Sequence, residues 1–466
     1  MTRPDLLVEG GLVLMADGAV VPADVAVTGG RISALLAPGS GVDAAERLDA
    51  SGLLVMPGVV DVHLHLGHGK DISRPRVPKD AASETGAAAA GGITTVIPYL
   101  MGTTAYEHGL FDEVRDATRA GARIDFGYHF IIATEDQLAG IPAYVARYGV
   151  PTFKIFMNNR GGEGTRLGLP DIDDGFLFRL AEAAAANGGM VCPHPENIEV
   201  SWVLRDRLKA VDPEGSGGLR TWNATRPPFV EAEAIQRAAL ISRAAGSRLY
   251  LVHTSSAEAL EAALAWKRAG AAISIETCPH YLTHDETWSG GDFGKINPPL
   301  RARSDCEALW KALAEGLVDT VATDHVHRDL ASKAGGIWAA SPGNPGLEIM
   351  LPILLSEGYH RRGLPLGRIA QVLSANPARI MGLPQKGAVA LGRDADLALV
   401  DLDAEWTVER SSVWSNAGFS LYEGERVKGR VVHTLVRGRA VFRDGALEPT
   451  GIGHGRYLPR CLPSSF

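Results

Sequence analysis

Five segments of this chain end on side chains that apolar strands ordinarily avoid. They are "DVHLH" with His63 and His65, "FKIFM" with Lys154, "VCPH" with His194, "YLVH" with His253 and "VATDH" with Asp324. The i, i+2 spacing of His63 and His65 turns both imidazoles to one face of a strand. Taken singly, each residue has an ordinary reading: a hydrogen-bonded core histidine, a snorkelling lysine, an aspartate capping a helix. Together they are costly to bury unless something neutralises them. Four imidazoles and a carboxylate at one place form a site for hard-to-borderline divalent metals.

Lys154 is the informative member, because an ammonium beside divalent cations would be repelled. If CO2 adds to its amine, the product is an anionic carbamate with two oxygens, able to bridge two metals. The expected arrangement has His63 and His65 on one metal, His194 and His253 on the other, and Lys154 between them.

These residues must be held by regular elements, and the sequence supplies them. From about residue 58 to 383, β-rich apolar runs alternate with Ala-rich helical stretches, the pattern of a parallel α/β fold. Eight runs can be counted: "GVVDVHLH", "GITTVIPYL", "RIDFGYHFII", "VPTFKIFM", "GMVCPH", "SRLYLVH", "AAISIET" and "DTVATDH". Helices are predicted over 105–120, 173–187, 231–245, 256–269 and 304–315. Eight such units imply a (β/α)8 barrel, whose active site lies at the C-terminal ends of the strands. A doubly wound open sheet is the alternative. Runs one, four, five, six and eight end on the residues named above, whereas runs two, three and seven offer no histidine or carboxylate at quite the matching position. Residues 1–57 and 384–466 share a texture of short strands and turns, and neither piece could close a core alone. They are expected to pair as one composite β-domain beside the barrel domain of 58–383.

Composition narrows the function. The 466-residue chain carries a net charge of −8, which argues against nucleic acid or an anionic membrane as partner. No apolar run approaches the ~20 residues of a membrane span, and the N-terminus lacks the apolar core of a signal peptide. Cys192, Cys278, Cys306 and Cys461 are scattered without a C-x-x-C spacing, as in a reduced, cytoplasmic protein.

The order and spacing of "PGVVDVHLH", "GGITTVIPY", "FKIFM", "HPENIE", "TRPP", "LYLVHTSS", "IETCPHYL", "NPPLR", "VATDH" and "NPARIMGLPQKGAVALGRDADLALVDLD" resemble the amidohydrolase superfamily. The resemblance covers essentially the whole chain and points to the cyclic amidohydrolases, nearest the dihydropyrimidinase and hydantoinase branch and related to allantoinase and dihydroorotase. It implies a TIM-like barrel with a β-sandwich built from both chain ends, two metals that are usually zinc, a carboxylated Lys154 and a homo-oligomer, tetramer or dimer. The implied reaction is hydrolytic opening of a cyclic amide, imide or ureide by a metal-bridging hydroxide. Asp324 would take the nucleophile's proton and return it to the departing ring nitrogen.

The sequence also departs from its relatives. Typical dihydroorotases place an arginine directly after the His-x-His-x segment, where it helps hold the substrate carboxylate; here Gly67, His68 and Gly69 follow, which disfavours dihydroorotate. Many hydantoinases carry a tyrosine five residues after the bridging lysine. Asn159 stands there instead, and its amide can donate to an oxyanion, though it is shorter. The Gly-rich stretch "NNRGGEGTRLGLPDIDDG" reads as a lid over the site or as a plain surface loop. His68 and Asn344 are candidate substrate contacts, and His280, His284 and His327 are expected to support loops. A mononuclear amidase or deaminase and a scaffold that has lost its ligands are the competing classes. Lys154 argues against the first, and the intact ligand set against the second.

Overall fold

The computed structural model describes residues 3–67, 71 and 73–464. Its centre is a ring of eight parallel staves. Stave one comprises Val59–Asp61 and Leu64–His65, stave two Ile93–Val96 and Tyr99–Leu100, and stave three Asp125–Phe126 and His129–Ile131. Staves four to seven are Thr152–Phe156, Met190–His194, Arg248–Leu251 and Ile273–Thr277, and stave eight is Thr320–Val321 with His325–Val326. Each neighbouring pair is hydrogen-bonded in parallel. The ring closes where His325 and Val326 register with Leu64 and His65. The barrel predicted from the alternating pattern is therefore present, and an open doubly wound sheet is not.

The staves form because their residues are apolar and covered on both sides: nearly every one of them is buried. The helices that cover them include Leu110–Gly121, Asp174–Ala186, Pro228–Ala244, Ala257–Arg268 and Arg303–Ala314, close to the predicted ranges. Side-chain caps define two helix starts that matter for the barrel mouth. Ser256 accepts from the Ala259 amide at 3.2 Å, and Asn197 accepts from the Val200 amide at 3.3 Å to begin the helix Ile198–Val211.

Both chain ends enter one nine-stranded mixed sheet. Its order runs Ala446–Leu447, Arg439–Arg443, Arg426–Val436, Leu397–Thr407, Leu54–Pro57, Leu6–Leu14, Val20–Thr28 and Arg31–Leu36, with Glu46–Asp49 also pairing to Leu6–Leu14. The chain leaves this sheet at Pro57 and starts stave one at Val59. Gly58 makes that junction possible, since a Cβ there would lie 2.2 Å from the Thr94 hydroxyl oxygen.

Sheet and barrel are tied by a buried ionic cluster. Lys386 Nζ lies 2.6 Å from Asp125 of stave three, 2.9 Å from Asp394 and 2.6 Å from Asp396, and Arg437 also binds Asp125. These three carboxylates have the spacing of a metal site, but the ammonium already supplies the cation. Burial works against the charge on Lys386, and the aspartates outweigh it and raise its pKa. Among the described residues no helix is long and apolar enough to cross a membrane.

Candidate active site at the barrel mouth

The stave ends bring His63, His65, Lys154, His194, His253 and Asp324 around one cavity of roughly 140 Å³. Ligand atoms of His63, His65 and Asp324 all lie within 4.8 Å of one another. His63 Nε2 is 3.2 Å from Asp324 Oδ1. On the opposite side, His194 Nδ1 and His253 Nε2 are 2.9 Å apart. The His63 and His253 ring centroids are separated by 5.3 Å, so the two groups share one space. Lys154 Nζ stands 4.6 Å from the centre of the Tyr99 ring.

Two of these residues hold left-handed backbone that non-glycine residues rarely adopt: His253 at φ 39° and Asp324 at φ 46°. His253 lies two residues past the end of stave six and Asp324 in the break between the two segments of stave eight, and the strained turn keeps each side chain at the mouth. His63 needs no such turn, because its amide donates to Asp61 and Thr323 hydroxyl and amide bind the same carboxylate, tying staves one and eight.

Electrostatics keeps the imidazoles neutral rather than cationic. Burial, with Lys154 nearby, lowers His65 to about 3 and puts His63 well below its usual value. His253 is pushed well below by burial and by His194. Neutral rings keep a lone pair available. Burial raises Asp324 to about 7 against the pull of Lys154, and lowers Lys154 to about 8 against the pull of Asp324 and Glu276.

Two carboxylates orient the rings from behind. His63 Nδ1 lies 2.6 Å from Glu276 Oε1, leaving Nε2 toward the cavity. His194 Nε2 donates to Glu196 Oε2 at 2.7 Å, leaving Nδ1 toward His253. Burial alone would raise the Glu196 carboxyl, but Arg226 and His194 hold it at about 2, so it acts as an acceptor. Burial pushes Glu276 up to about 8, and a neighbouring positive charge favours its ionised form.

This donor set fits divalent cations. His253 Nδ1 and His65 Nδ1 are buried without a partner. If His253 carries its proton on Nδ1, two lone pairs face each other across the 2.9 Å gap to His194; if on Nε2, a buried lone pair is orphaned at Nδ1. A cation in the cavity relieves the first arrangement.

Glu276 and His129 were not singled out, because runs three and seven carry no histidine or carboxylate at quite the position that matches the other strand ends. Glu276 sits one residue before the end of stave seven, and the pleat turns it inward. Its signal was the single acid inside "AAISIETCP", an otherwise uncharged run. His129 bonds Thr152 Oγ1 at 2.6 Å and the Val62 carbonyl at 2.9 Å, a buried brace beneath the mouth, stacked on Tyr99.

Asn159 lines the cavity, 3% exposed, with its Nδ2 buried and unpartnered. Its loop also brings Asn158, Glu163 and Leu167 to the mouth. Gly161 (φ 56°) is required there, since a Cβ would lie 2.4 Å from the Trp202 ring. Asn344 is buried, and its backbone carbonyl accepts from the Val326 amide at 2.9 Å; its neighbour Gly343, not Asn344, is among the cavity-lining residues. His68 lies outside the described residues. His284 braces a loop through the Leu421 carbonyl, and His280 and His327 are buried without being among the lining residues, although Val326 and Arg328 on either side of His327 are. The motifs "TRPP", "VHTSS" and "NPPLR" bind one another: buried Arg301 donates to the Arg226 carbonyl and to Ser255 Oγ, and pairs with Glu231 at 3.0 Å.

Residues 238–441 match the amidohydrolase family. The chain is 36% identical over 447 residues to an allantoinase of Solibacter usitatus, covering 94% of this chain and 93% of that one. It is 32% identical over 477 residues to a D-hydantoinase of Ralstonia pickettii, covering 98% and 99%. A solved dihydropyrimidinase from Brevibacillus agri superposes with a TM-score of 0.87 at 29% identity, over 98% of this chain and 99% of that one.

Proposed function

The chain belongs to the amidohydrolase family, and from that premise we propose that it is a metal-dependent hydrolase that opens a cyclic amide bond of a hydantoin, dihydropyrimidine or related ureide. The observation that carries this reading is the convergence of four neutral imidazoles, Lys154 and Asp324 on one cavity. His63, His65 and Asp324 would hold one cation, His194 and His253 a second, with Lys154 as a carbamate between them. A burial-lowered amine favours that modification, because only the neutral amine adds to CO2. When bound, the cations lower the pKa of water and polarise the ring carbonyl.

The chain's own residues do the rest. Asp324 accepts a proton as water adds and delivers it to the ring nitrogen as the C–N bond breaks. An amide nitrogen leaves poorly unless protonated, so the second transfer matters as much as the first. Asn159 offers its unpartnered Nδ2 to the carbonyl oxygen as charge develops there. Glu276 and Glu196 keep the His63 and His194 rings in the required tautomers. Zinc as the metal, a homotetrameric or dimeric assembly and a cytoplasmic location belong to the same reading.

The deciding experiment is a ring-opening screen of metal-loaded protein against hydantoins, dihydropyrimidines, allantoin, cyclic imides and dihydroorotate. Opening of one or more of the first four supports the proposal. Failure on every cyclic amide by protein that has taken up two metals per chain would refute it.

A further inference from the structure

Beside the metal-site cavity lies a second one of roughly 240 Å³, and Glu163, Arg226, Asn297 and Pro342 line both. The two are thus neighbouring compartments with a shared wall. The second is cationic. Arg205, Lys209, Arg226 and Lys295 line it with the single carboxylate of Glu163, while Glu196, outside the lining, lies 3.5 Å from Arg226. The Glu163 carboxylate is already engaged, accepting from Arg205 Nη1 at 2.9 Å and from Trp202 Nε1 at 2.7 Å. In a chain of net charge −8 this concentration of positive charge runs against the whole.

The construction is specific. Trp202, Arg205 and Lys209 recur at i, i+3 and i+7 along the helix Ile198–Val211, so one helical face supplies them. Lys295 and Arg226 come from other segments and are only 3% and 6% exposed. Both lie over the Trp222 ring, at 4.2 and 5.0 Å from its centre. The N–H groups of Trp202, Trp222 and Trp338 are already engaged, on Glu163, on the Ile296 carbonyl and Asn297 Oδ1, and on the Asp212 carbonyl. Buried Lys333 fixes the remaining wall by donating to the carbonyls of Lys295, Ser341 and Gly343 at 3.0–3.1 Å.

Resting on the ring-opening reading, we propose that this side cavity is a specificity subsite for an exocyclic carboxylate, so that the substrate class is a cyclic amide carrying a short carboxyalkyl arm. The ring sits beside His63, His253 and Asp324 while its arm passes the shared wall toward Lys295, Arg226 and Arg205. Desolvated cations bind a carboxylate more strongly than solvent-exposed ones do, and the tryptophans exclude water around the methylenes. Dihydroorotate does not meet this description, because its carboxylate is attached directly to the ring rather than carried on an arm.

The test compares two near-isosteric probes, 5-(2-carboxyethyl)hydantoin and 5-(2-carbamoylethyl)hydantoin, with metal-loaded full-length enzyme. The acid is expected to exceed the amide in kcat/KM by about tenfold or more, mostly through KM. That ratio should shrink with added salt, in Lys295→Met, and in the double variant Arg205→Ala/Lys209→Ala, which lies on a partly exposed helix face and keeps the test valid where Lys295→Met does not fold. Equal or better opening of the amide overturns the subsite. Opening of other cyclic amides but of neither probe also overturns it, whereas failure on every cyclic amide refutes the ring-opening reading itself.

Discussion

Glu276 holds His63 from behind: its Oε1 lies 2.6 Å from the His63 Nδ1 and also accepts from the His253 amide at 2.8 Å. One carboxylate thereby links a histidine from each of the two proposed metal positions. Glu276→Gln is expected to weaken metal binding roughly ten- to a hundredfold. Metal content after dialysis against a graded chelator series measures this. Unchanged retention would remove Glu276 from the positioning role.

Lys154→Ala should lose bound metal and activity together, with partial recovery when short carboxylic acids are added. Full activity with two metals in that variant would sink the carbamate assignment. In the wild-type chain the burial-lowered Lys154, near 8, sets a pH dependence for assembly. The neutral amine grows as pH rises, so reconstitution of stripped protein with metal and bicarbonate should quicken from pH 6 to pH 8.5. A rate independent of pH and bicarbonate would contradict it.

Asp324→Asn keeps an oxygen ligand but cannot carry the proton. The expected loss is roughly a hundred- to ten-thousandfold in kcat, with KM little changed. Steady-state kinetics on any opened ring separates this from loss of metal, which elemental analysis reports independently.

Asn159→Ala removes the unpartnered donor from the cavity without leaving a buried group unsatisfied. Its kcat should fall on the order of a hundredfold while stability is unaffected. An equal kcat would assign the carbonyl oxygen to another donor.

Lys386→Met leaves Asp394 and Asp396 without the ammonium they share and Asp125 with Arg437 alone. Breaking such a pair costs about 3–5 kcal/mol. Equilibrium urea unfolding should show it as a lower midpoint, provided the transition remains two-state. A midpoint unchanged from wild type would show that the cluster is dispensable for joining sheet and barrel.

The sequence by itself determined the barrel and the direction of its chemistry. Eight apolar runs alternating with helices admit few parallel folds, and polar residues at run ends are too costly to bury without purpose. His63, His65, Lys154, His194, His253 and Asp324 were legible because each breaks an apolar pattern at the same place. Glu276 was not, because it sits one residue earlier, and which strand residues turn inward depends on the ring's closure. The side cavity was invisible for a stronger reason. Arg205 and Lys209 on one helix, Arg226 in a loop and Lys295 some seventy residues later look in sequence like ordinary solvated charges. Only the packing of that helix against Trp222 and Trp338 gathers them beside the proposed metal site, with Arg226 and Lys295 buried and Arg205 and Lys209 nearer the surface. Ligands follow from residue type, whereas a substrate's shape is read by surfaces that distant segments build together.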